Sequence, residues 1–569
     1  MVAGARCEGT QVPCRRVPGA LPARGPASSV EAMRRTPLAA LIGAAFAALL
    51  AAPAQARTQA ELPAAIRAIM DKPRYADARW SLLVADVESG ETLYALDADR
   101  MSFTGSTRKL FSTGVAMEAL GPGRRQLTPV HRRGRVDERG TLRGDLVLVG
   151  GGDLTFGGRR LHRDGVQYTD FDHNDANSLG AAILTPQDPL FALNALAREV
   201  RASGIRSVRG EVAVDDRLFA PYRVPNGNLL VSPIMVNENM VDVTITPAAP
   251  GRPARVTHRP ATAAFDVRSR VTTAPAGADA AVTLTGSGLI RCIGRPRCGG
   301  TVGGSLPAGY RAPLTGLDRF VGTFRVEDPA AFARTAFVEA LRRNGVRVAA
   351  RTVRPNPRRV LPRRFRYPAA TRVAVHRSAP YAQVARLVNK VSLNLGANLS
   401  VSLYGLTRGA RTIQGALAAE RRRLVRRFGV GPREFRFPTN GSGTPDSRAT
   451  PRALVRVLRG MAKSRVARSF AATLPILGRD GSLAHTGTTL PARGHVRAKP
   501  GTTILPGADG ETIELKAQNM AGYITARSGR ELAYALMVND VGAITDIEGD
   551  VSGVFQDEAE IANVIYEEE

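Results

Sequence analysis

Residues 105–120 read GSTRKLFSTGVAMEAL, a serine and a lysine three positions apart at the start of an apolar periodicity. Leu110, Val115, Met117 and Leu120 recur at broadly helical spacing and Gly121-Pro122 ends the run, so the stretch predicts a helix over 109–120. Ser106 follows Gly105 at the N-terminus of that helix, and Lys109 lies one turn on, where side chains three apart share a face. A serine hydroxyl is a poor nucleophile until a base takes its proton. An amine serves as that base only if its pKa falls from about 10.4 to near 7, a difference of roughly 4–5 kcal/mol that a desolvated pocket with a second cation can supply. An N-cap serine followed by a surface lysine has the same spacing, so the pattern acquires meaning only from partners elsewhere in the chain.

Two partners stand out because lysine is scarce: only Lys72, Lys109, Lys390, Lys463, Lys499 and Lys516 occur. The first is Ser392-Leu393-Asn394, preceded by Lys390 in LVNKVSLNLGANL. A hydroxyl and an amide two residues apart on a turn can face one cleft, the serine relaying a proton and the asparagine bonding a peptide backbone. The second is Lys499-Pro500-Gly501-Thr502 in HVRAKPGTT. A lysine beside a glycine on an edge strand can meet a carboxylate while the open edge pairs with a peptide.

Outward from these motifs the pattern is mixed. Residues 80–94, WSLLVADVESGETLY, form two apolar runs around a Glu-Ser-Gly-Glu turn, a hairpin by its turn chemistry. From about 130 to 370 short β-branched runs lie between Gly and Pro, such as GDLVLV (144–149) and MVDVTIT (240–246), with helical patterns at 188–202 and 328–344. Residues 247–325 are richest in Pro, Gly, Ala and Thr and read as a small β module nested in this insertion. After an Arg/Pro linker at 355–368, a helical segment begins at 379, and the chain closes with a hairpin, 517–525 and 531–539, turned by Ser528-Gly529. The expected fold is α+β: a domain made of 57–128 and 376–569, split by a large, mostly β inserted domain at 129–375.

The Ser-x-x-Lys, Ser-x-Asn and Lys-x-Gly motifs, in that order on helix start, turn and strand, resemble the penicillin-recognising serine enzymes. About 285 residues separate Ser106 from Ser392, and this long insertion is similar to that of the D-alanyl-D-alanine carboxypeptidase/endopeptidases of the penicillin-binding protein 4 type. LVGGGDLTF (148–156), VAVDDRLF (212–219), VNENMVDV (236–243), NGSG (440–443) and DGSL (480–483) look like the same family. The resemblance implies a serine β-lactamase/DD-peptidase-like transpeptidase domain, an antiparallel sheet flanked by helices, acting on peptidoglycan stem peptides and binding β-lactam antibiotics. It implies Ser106 as the acylated nucleophile, Lys109 as its base, and Ser392 and Asn394 on the proton route and the peptide. Lys499, with Gly501 and Thr502, would bind substrate, and the backbone N–H groups of Ser106 and Thr502 would form the oxyanion hole. Asp215 or Asp216 matches an acidic residue that the family carries near its cleft. Two positions depart from the pattern: Pro500 stands where the family has Thr or Ser, removing a hydroxyl and a backbone donor, and Leu393 stands where it often has Asp or His.

The remaining composition sets the chemical surroundings. The chain carries 79 Lys+Arg against 50 Asp+Glu, a net charge of +29, almost all of it arginine spread along the sequence. That spread gives no nucleic-acid stripe and fits an anionic cell envelope better. Residues 33–56, MRRTPLAALIGAAFAALLAAPAQA, have a basic start, an apolar stretch at 38–52 and a small-x-small site ending at Ala56, the pattern of a cleaved export signal with Met33 as the true start. The apolar stretch is shorter than the roughly 20 residues of a membrane span; an uncleaved anchor is the alternative, and at most peripheral membrane association is expected of the rest. Without residues 1–56 the chain keeps 73 Lys+Arg and 48 Asp+Glu, or +25. Cys7 and Cys14 fall in that leader, so Cys292 and Cys298 are expected to pair as a local disulfide. No cofactor or metal is expected: Gly150–Gly152 lacks the Lys-Ser/Thr of a phosphate loop, the Asp170–Asp175 run lacks the glycine and closing Glu of a calcium loop and reads as solvated, and the seven histidines show no ligand spacing. Two functions remain: an acyl-serine DD-peptidase, or a protein of the same fold that grips peptidoglycan or penicillin with little turnover because of Pro500. Stem-peptide chemistry and oligomeric state are not legible at this level.

Overall fold

Along the strand Arg79–Asp86, Trp80, Leu82 and Val84 face one way and Leu83 and Ala85 the other, and both sets are buried. A short run that is apolar on both faces belongs at the centre of a covered sheet. The computed structural model describes residues 61–569 except 160–163, 227–228, 287–291, 293–294, 296, 364 and 546. It places this strand second in a five-stranded antiparallel sheet ordered Thr92–Leu96, Arg79–Asp86, Glu531–Ile544, Ile513–Thr525, Val496–Pro506. Trp80 lies opposite Val538, so the sheet joins the first part of the described chain to the last.

One face of this sheet packs on Arg108–Leu120, Tyr381–Lys390 and the neighbouring helices, through Leu83, Ala85, Phe111, Val388 and Leu458 among others. The other face is covered by Ala64–Met70 and Ile547–Glu568, through Ile66, Leu82, Val84, Ile561 and Ile565. The 22-residue helix Ile547–Glu568 corrects the expectation that the chain closes on a hairpin. Its buried Val551, Val554, Ala559, Ala562 and Ile565 do follow a helical spacing, interleaved with acidic residues and with Gly549 and Gly553, which weaken local helix propensity.

The insertion is built on a six-stranded sheet whose strands begin at Leu127–Val136 and end at Arg372–Arg377. The helices Phe191–Ala202 and Pro329–Arg343 lie where the apolar spacing put them. Within the insertion sit a three-stranded sheet, containing Met240–Thr246, and a four-stranded sheet around Cys298–Pro307. Cys292 and Cys298 form a disulfide with Cα atoms 5.6 Å apart. All described residues fall within one compact unit, Ala54–Glu569. The export signal and the leader cysteines lie outside the described residues. No helix among the described residues is long and apolar enough to cross a membrane.

The expected solvated loop at 170–175 has a buried centre. Asp172 and His173 are buried, and Arg159 bonds both Asp172 (2.6 and 2.7 Å) and Glu238 (2.5 Å). His173 Nδ1 lies 2.7 Å from Asp242 and Nε2 3.3 Å from Glu238, and Arg259 reaches Asp242 at 3.0 Å. Three cations face three carboxylates. Although Asp172, His173 and Glu238 could be grouped as ligands within 4.8 Å, the Arg159 guanidinium already holds both carboxylates. Burial opposes the charged imidazole, but Asp242 and Glu238 outweigh it and hold the His173 pKa up to about 10.

Candidate active site

Ser106 lies in a tight turn, Gly105–Thr107, that runs directly into the helix Arg108–Leu120. Two glycines make the approach of this turn to the sheet edge possible. Gly105 has φ +46°, and a Cβ there would stand 2.6 Å from the backbone N of Thr502. A Cβ on Gly501 would stand 2.8 Å from the backbone N of Ser106. The two backbones therefore cross with no room for a side chain, which gathers the N–H groups of Ser106 and Thr502 into one corner. Phe103, just upstream, is tied to the sheet by Asn539, which accepts its N–H at 2.8 Å, and by Asn519, which donates to its carbonyl at 2.9 Å.

Lys109 is fully buried, and its Nζ donates to Ser106 Oγ at 2.6 Å. The same Nζ reaches Ser392 Oγ and the carbonyl of Ser442, each at 3.2 Å. Ser106 is thus bonded by its lysine rather than acting as a helix cap. Ser392 sits between the helices Tyr381–Lys390 and Asn394–Leu406 with φ +57°, a left-handed conformation that turns its hydroxyl back toward Lys109. Asn394 opens the second of these helices and is half-buried.

Lys499 is buried on the edge strand Val496–Pro506, where its Nζ donates to the carbonyl of Pro500 at 2.8 Å. Proline is tolerated there because an edge strand has one unpaired side. Thr502 donates from its hydroxyl to Gln518 at 2.7 Å, and Gln518 Nε2 lies 3.5 Å from Glu558 of the C-terminal helix. Ser106, Lys109 and Ser392 are joined by hydrogen bonds, and Gly501 and Thr502 close on the nucleophile turn, with Lys499 on the same strand and Asn394 two residues beyond Ser392.

Several contributors escaped the sequence reading. The segment Asn440-Gly441-Ser442-Gly443 does more than mark a family stretch, because the Ser442 carbonyl is the third acceptor of Lys109. Asn440 Oδ1 accepts from the N–H groups of Ser442 and Gly443, both at 2.8 Å, and Asn398 Oδ1 accepts from Gly441 N at 2.8 Å. Arg108, between nucleophile and base, forms a buried two-bond pair with Glu420 at 2.9 and 2.5 Å and lies 3.9 Å from the Phe437 ring centroid. Lys390 grips both oxygens of Asp480, at 2.5 and 2.6 Å; burial lowers its pKa against the opposing pull of that carboxylate. These partners are far apart in sequence, and no local pattern announces them.

The acidic residues of VAVDDRLF are engaged elsewhere. Asp215 is fully buried and bonded by Arg217 and the Tyr367 hydroxyl, while Asp216 pairs with Arg358 at 2.8 Å. The inserted-domain carboxylate that meets the wall beside Lys390 is Asp170, which accepts from Gly481 N at 3.1 Å, next to a Phe171–His485 ring stack at 5.5 Å.

Residues 62–554 match the model of the D-Ala-D-Ala carboxypeptidase 3 (S13) family. The D-alanyl-D-alanine carboxypeptidase of Actinomadura sp. (strain R39) is 30% identical over 505 residues, covering 84% of this chain and 81% of that protein. The crystal structure of penicillin binding protein 4 from Haemophilus influenzae superposes with a TM-score of 0.64 at 18% identity, over 88% of this chain and 99% of that one. The same protein complexed with a novel β-lactam gives a TM-score of 0.62, with the same identity and coverage. With that family match running almost the whole length of the described chain, the protein belongs to the D-Ala-D-Ala carboxypeptidase 3 (S13) family of serine peptidases.

Proposed function

We propose that the protein is an exported D-Ala-D-Ala carboxypeptidase that trims peptidoglycan stem peptides through an ester on Ser106 and is acylated there by β-lactams. The observation that carries this reading is the Lys109 amine, 2.6 Å from Ser106 Oγ and 3.2 Å from Ser392 Oγ. Lys109 accepts the Ser106 proton as Oγ adds to the penultimate D-alanine carbonyl. The resulting oxyanion meets the backbone N–H groups of Ser106 and Thr502, a device worth roughly 2.7–4 kcal/mol per donor. Collapse breaks the peptide bond, and the proton passes through Lys109 and Ser392 to the departing amine. Water then hydrolyses the ester. Asn394 holds the stem-peptide backbone and Lys499 the terminal carboxylate, beside an edge strand able to pair with the peptide.

Pro500 favours a second reading, capture with slow turnover, since the hydroxyl expected beside that carboxylate is missing. A fluorescent penicillin, peptide mapping of the label and a D-alanine release assay separate the two. Label on Ser106 with D-alanine release, both lost in Ser106→Ala, supports the peptidase. Label without release moves the protein to the binding role, and no label on folded protein removes both.

A further inference from the structure

The buried stripe of the C-terminal helix Ile547–Glu568 runs through Val551, Val554, Ile561, Ala562 and Ile565, and Glu558 stands in the same helical register. Its side chain is fully buried, and among the described residues its one hydrogen-bond partner is Gln518 Nε2, 3.5 Å from Oε2; Oε1 has none. Asp557, one residue earlier, is by contrast bonded by Lys72 and by the Tyr75 hydroxyl. Burial, with the Asp557 charge beside it, pushes the Glu558 pKa well above the usual carboxylate range against the pull of the Gln518 amide. A buried acid so poorly partnered costs stability, and a leucine there would simply continue the stripe. What the acid does touch leads to the reaction centre. Gln518 is fully buried on the strand Ile513–Thr525, pairs in register with Thr502, and bonds the Thr502 hydroxyl at 2.7 Å. Thr502 lies on the edge strand where the nucleophile turn crosses it, three residues from Lys499. Two bonds therefore connect the far side of the sheet to the edge of the cleft.

We propose that Glu558 is a positioning residue which, through Gln518, aims the Thr502 hydroxyl at the C-terminal carboxylate of the stem peptide. The inference rests on the peptidase reading above, in which Lys499 meets that carboxylate. With Gln518 Nε2 toward Glu558, the Thr502 proton is directed at the Gln518 carbonyl. A neutral Glu558 reverses the amide while the heavy atoms keep their places. Its O–H donates to the Gln518 carbonyl, the Gln518 amide donates to Thr502 Oγ1, and the Thr502 proton is left for the carboxylate. A charged Glu558 can only accept, so it holds the amide the other way and turns the Thr502 proton inward. Burial keeps the acid in the useful form. No proton changes hands; the acid sets the direction of a short chain of hydrogen bonds. That direction matters more in this chain because Pro500 offers no hydroxyl of its own.

Glu558→Leu in the whole chain is expected to fold with a melting temperature no lower than wild type. Its kcat/KM for D-alanine release from a soluble pentapeptide is expected to fall about tenfold, chiefly through KM, the scale of one bond to a charged group. Glu558→Gln, whose amide can donate to Gln518 as the acid does, stays within about twofold of wild type. Phenylboronic acid, which bonds Ser106 without a carboxylate, inhibits wild type and Glu558→Leu equally. In a Thr502→Val background, Glu558→Leu brings no further loss. Unimpaired release by Glu558→Leu, equal impairment of Glu558→Gln, a parallel loss of boronic acid inhibition, or additive losses with Thr502→Val overturns the positioning role. A melting temperature of Glu558→Leu well below wild type assigns the acid to the fold and overturns it too. Absence of D-alanine release by the wild type overturns the peptidase reading instead. The same comparison is then read from the rate of penicillin acylation, whose carboxylate meets the same hydroxyl, and a folded wild type inert to both overturns the two together.

Discussion

Two buried charge clusters in this molecule are built to opposite ends. In the inserted domain, Arg159, His173 and Arg259 face Asp172, Glu238 and Asp242, and every cation has a carboxylate. At the reaction centre Lys109 faces the hydroxyls of Ser106 and Ser392 and the carbonyl of Ser442. An ammonium or imidazolium between carboxylates is held charged, and its network fixes a shape. An amine against hydroxyls has acceptors that can themselves carry a proton, and it can exchange one. Lys390, two residues from Ser392, has a carboxylate partner as in the first cluster, since Asp480 holds it with both oxygens, although burial lowers its pKa. Proximity to the cleft does not identify the base; the chemistry of the partners does.

The contrast is broken most severely at the nucleophile. Ser106→Ala is expected to lower D-alanine release by about 10^4-fold or more. Lys109→Met should cost about 10^3-fold with folding intact. Lys390→Met should instead lower the melting temperature and leave penicillin acylation measurable. Equal losses of acylation in both lysine variants would remove the distinction.

The next effect is on stability. Arg108 and Glu420 are both buried, so Glu420→Gln strands a guanidinium and should cost about 3–5 kcal/mol in urea unfolding. Replacing both partners with apolar residues should recover much of that loss, which a merely misfolded single variant would not predict.

In the inserted domain the test is pH. The folded pKa of His173 is raised from 6.5 to about 10, so the protonated form is favoured in the folded state. Its contribution is complete below pH 6.5 and is lost as pH rises toward 10. Wild-type melting temperature should fall across that window, and His173→Gln should flatten the slope. Parallel profiles for the two proteins would show that the imidazole is not charged.

The smallest change sharpens the site rather than breaking it. Pro500→Thr restores a hydroxyl beside the carboxylate-binding lysine and should raise kcat/KM for D-alanine release by roughly tenfold, the scale of one bond to a charged group. An unchanged kcat/KM would mean that Thr502, Thr503 and Thr444 already fill that role, their hydroxyl groups lying around the same strand.

Much of this was legible beforehand, for a physical reason. Ser106, Lys109, Ser392, Asn394, Lys499, Gly501 and Thr502 occur as short motifs because each local element must present two groups in fixed geometry. The hairpin strands were also legible, since their apolar periods are local. The Ser442 carbonyl, the Arg108–Glu420 pair and the Asp170–Gly481 contact were not. They join residues hundreds apart, and backbone atoms leave no compositional trace. The ionic network at His173 was read as a solvated loop because Asp, His and Asn look hydrophilic until Arg159 is folded over them. The terminal helix was missed where acidic residues and glycines masked its apolar stripe.

The order of strands in the main sheet also governs timing. Ser106 is made several hundred residues before the strand that lies opposite Trp80, Glu531–Ile544. The inserted domain can begin folding on its own local contacts, while the hydrolytic machinery has no floor until that strand has been made. A chain stopped short of residue 531 carries every motif residue and still has no working catalyst, so the topology keeps incomplete copies inert.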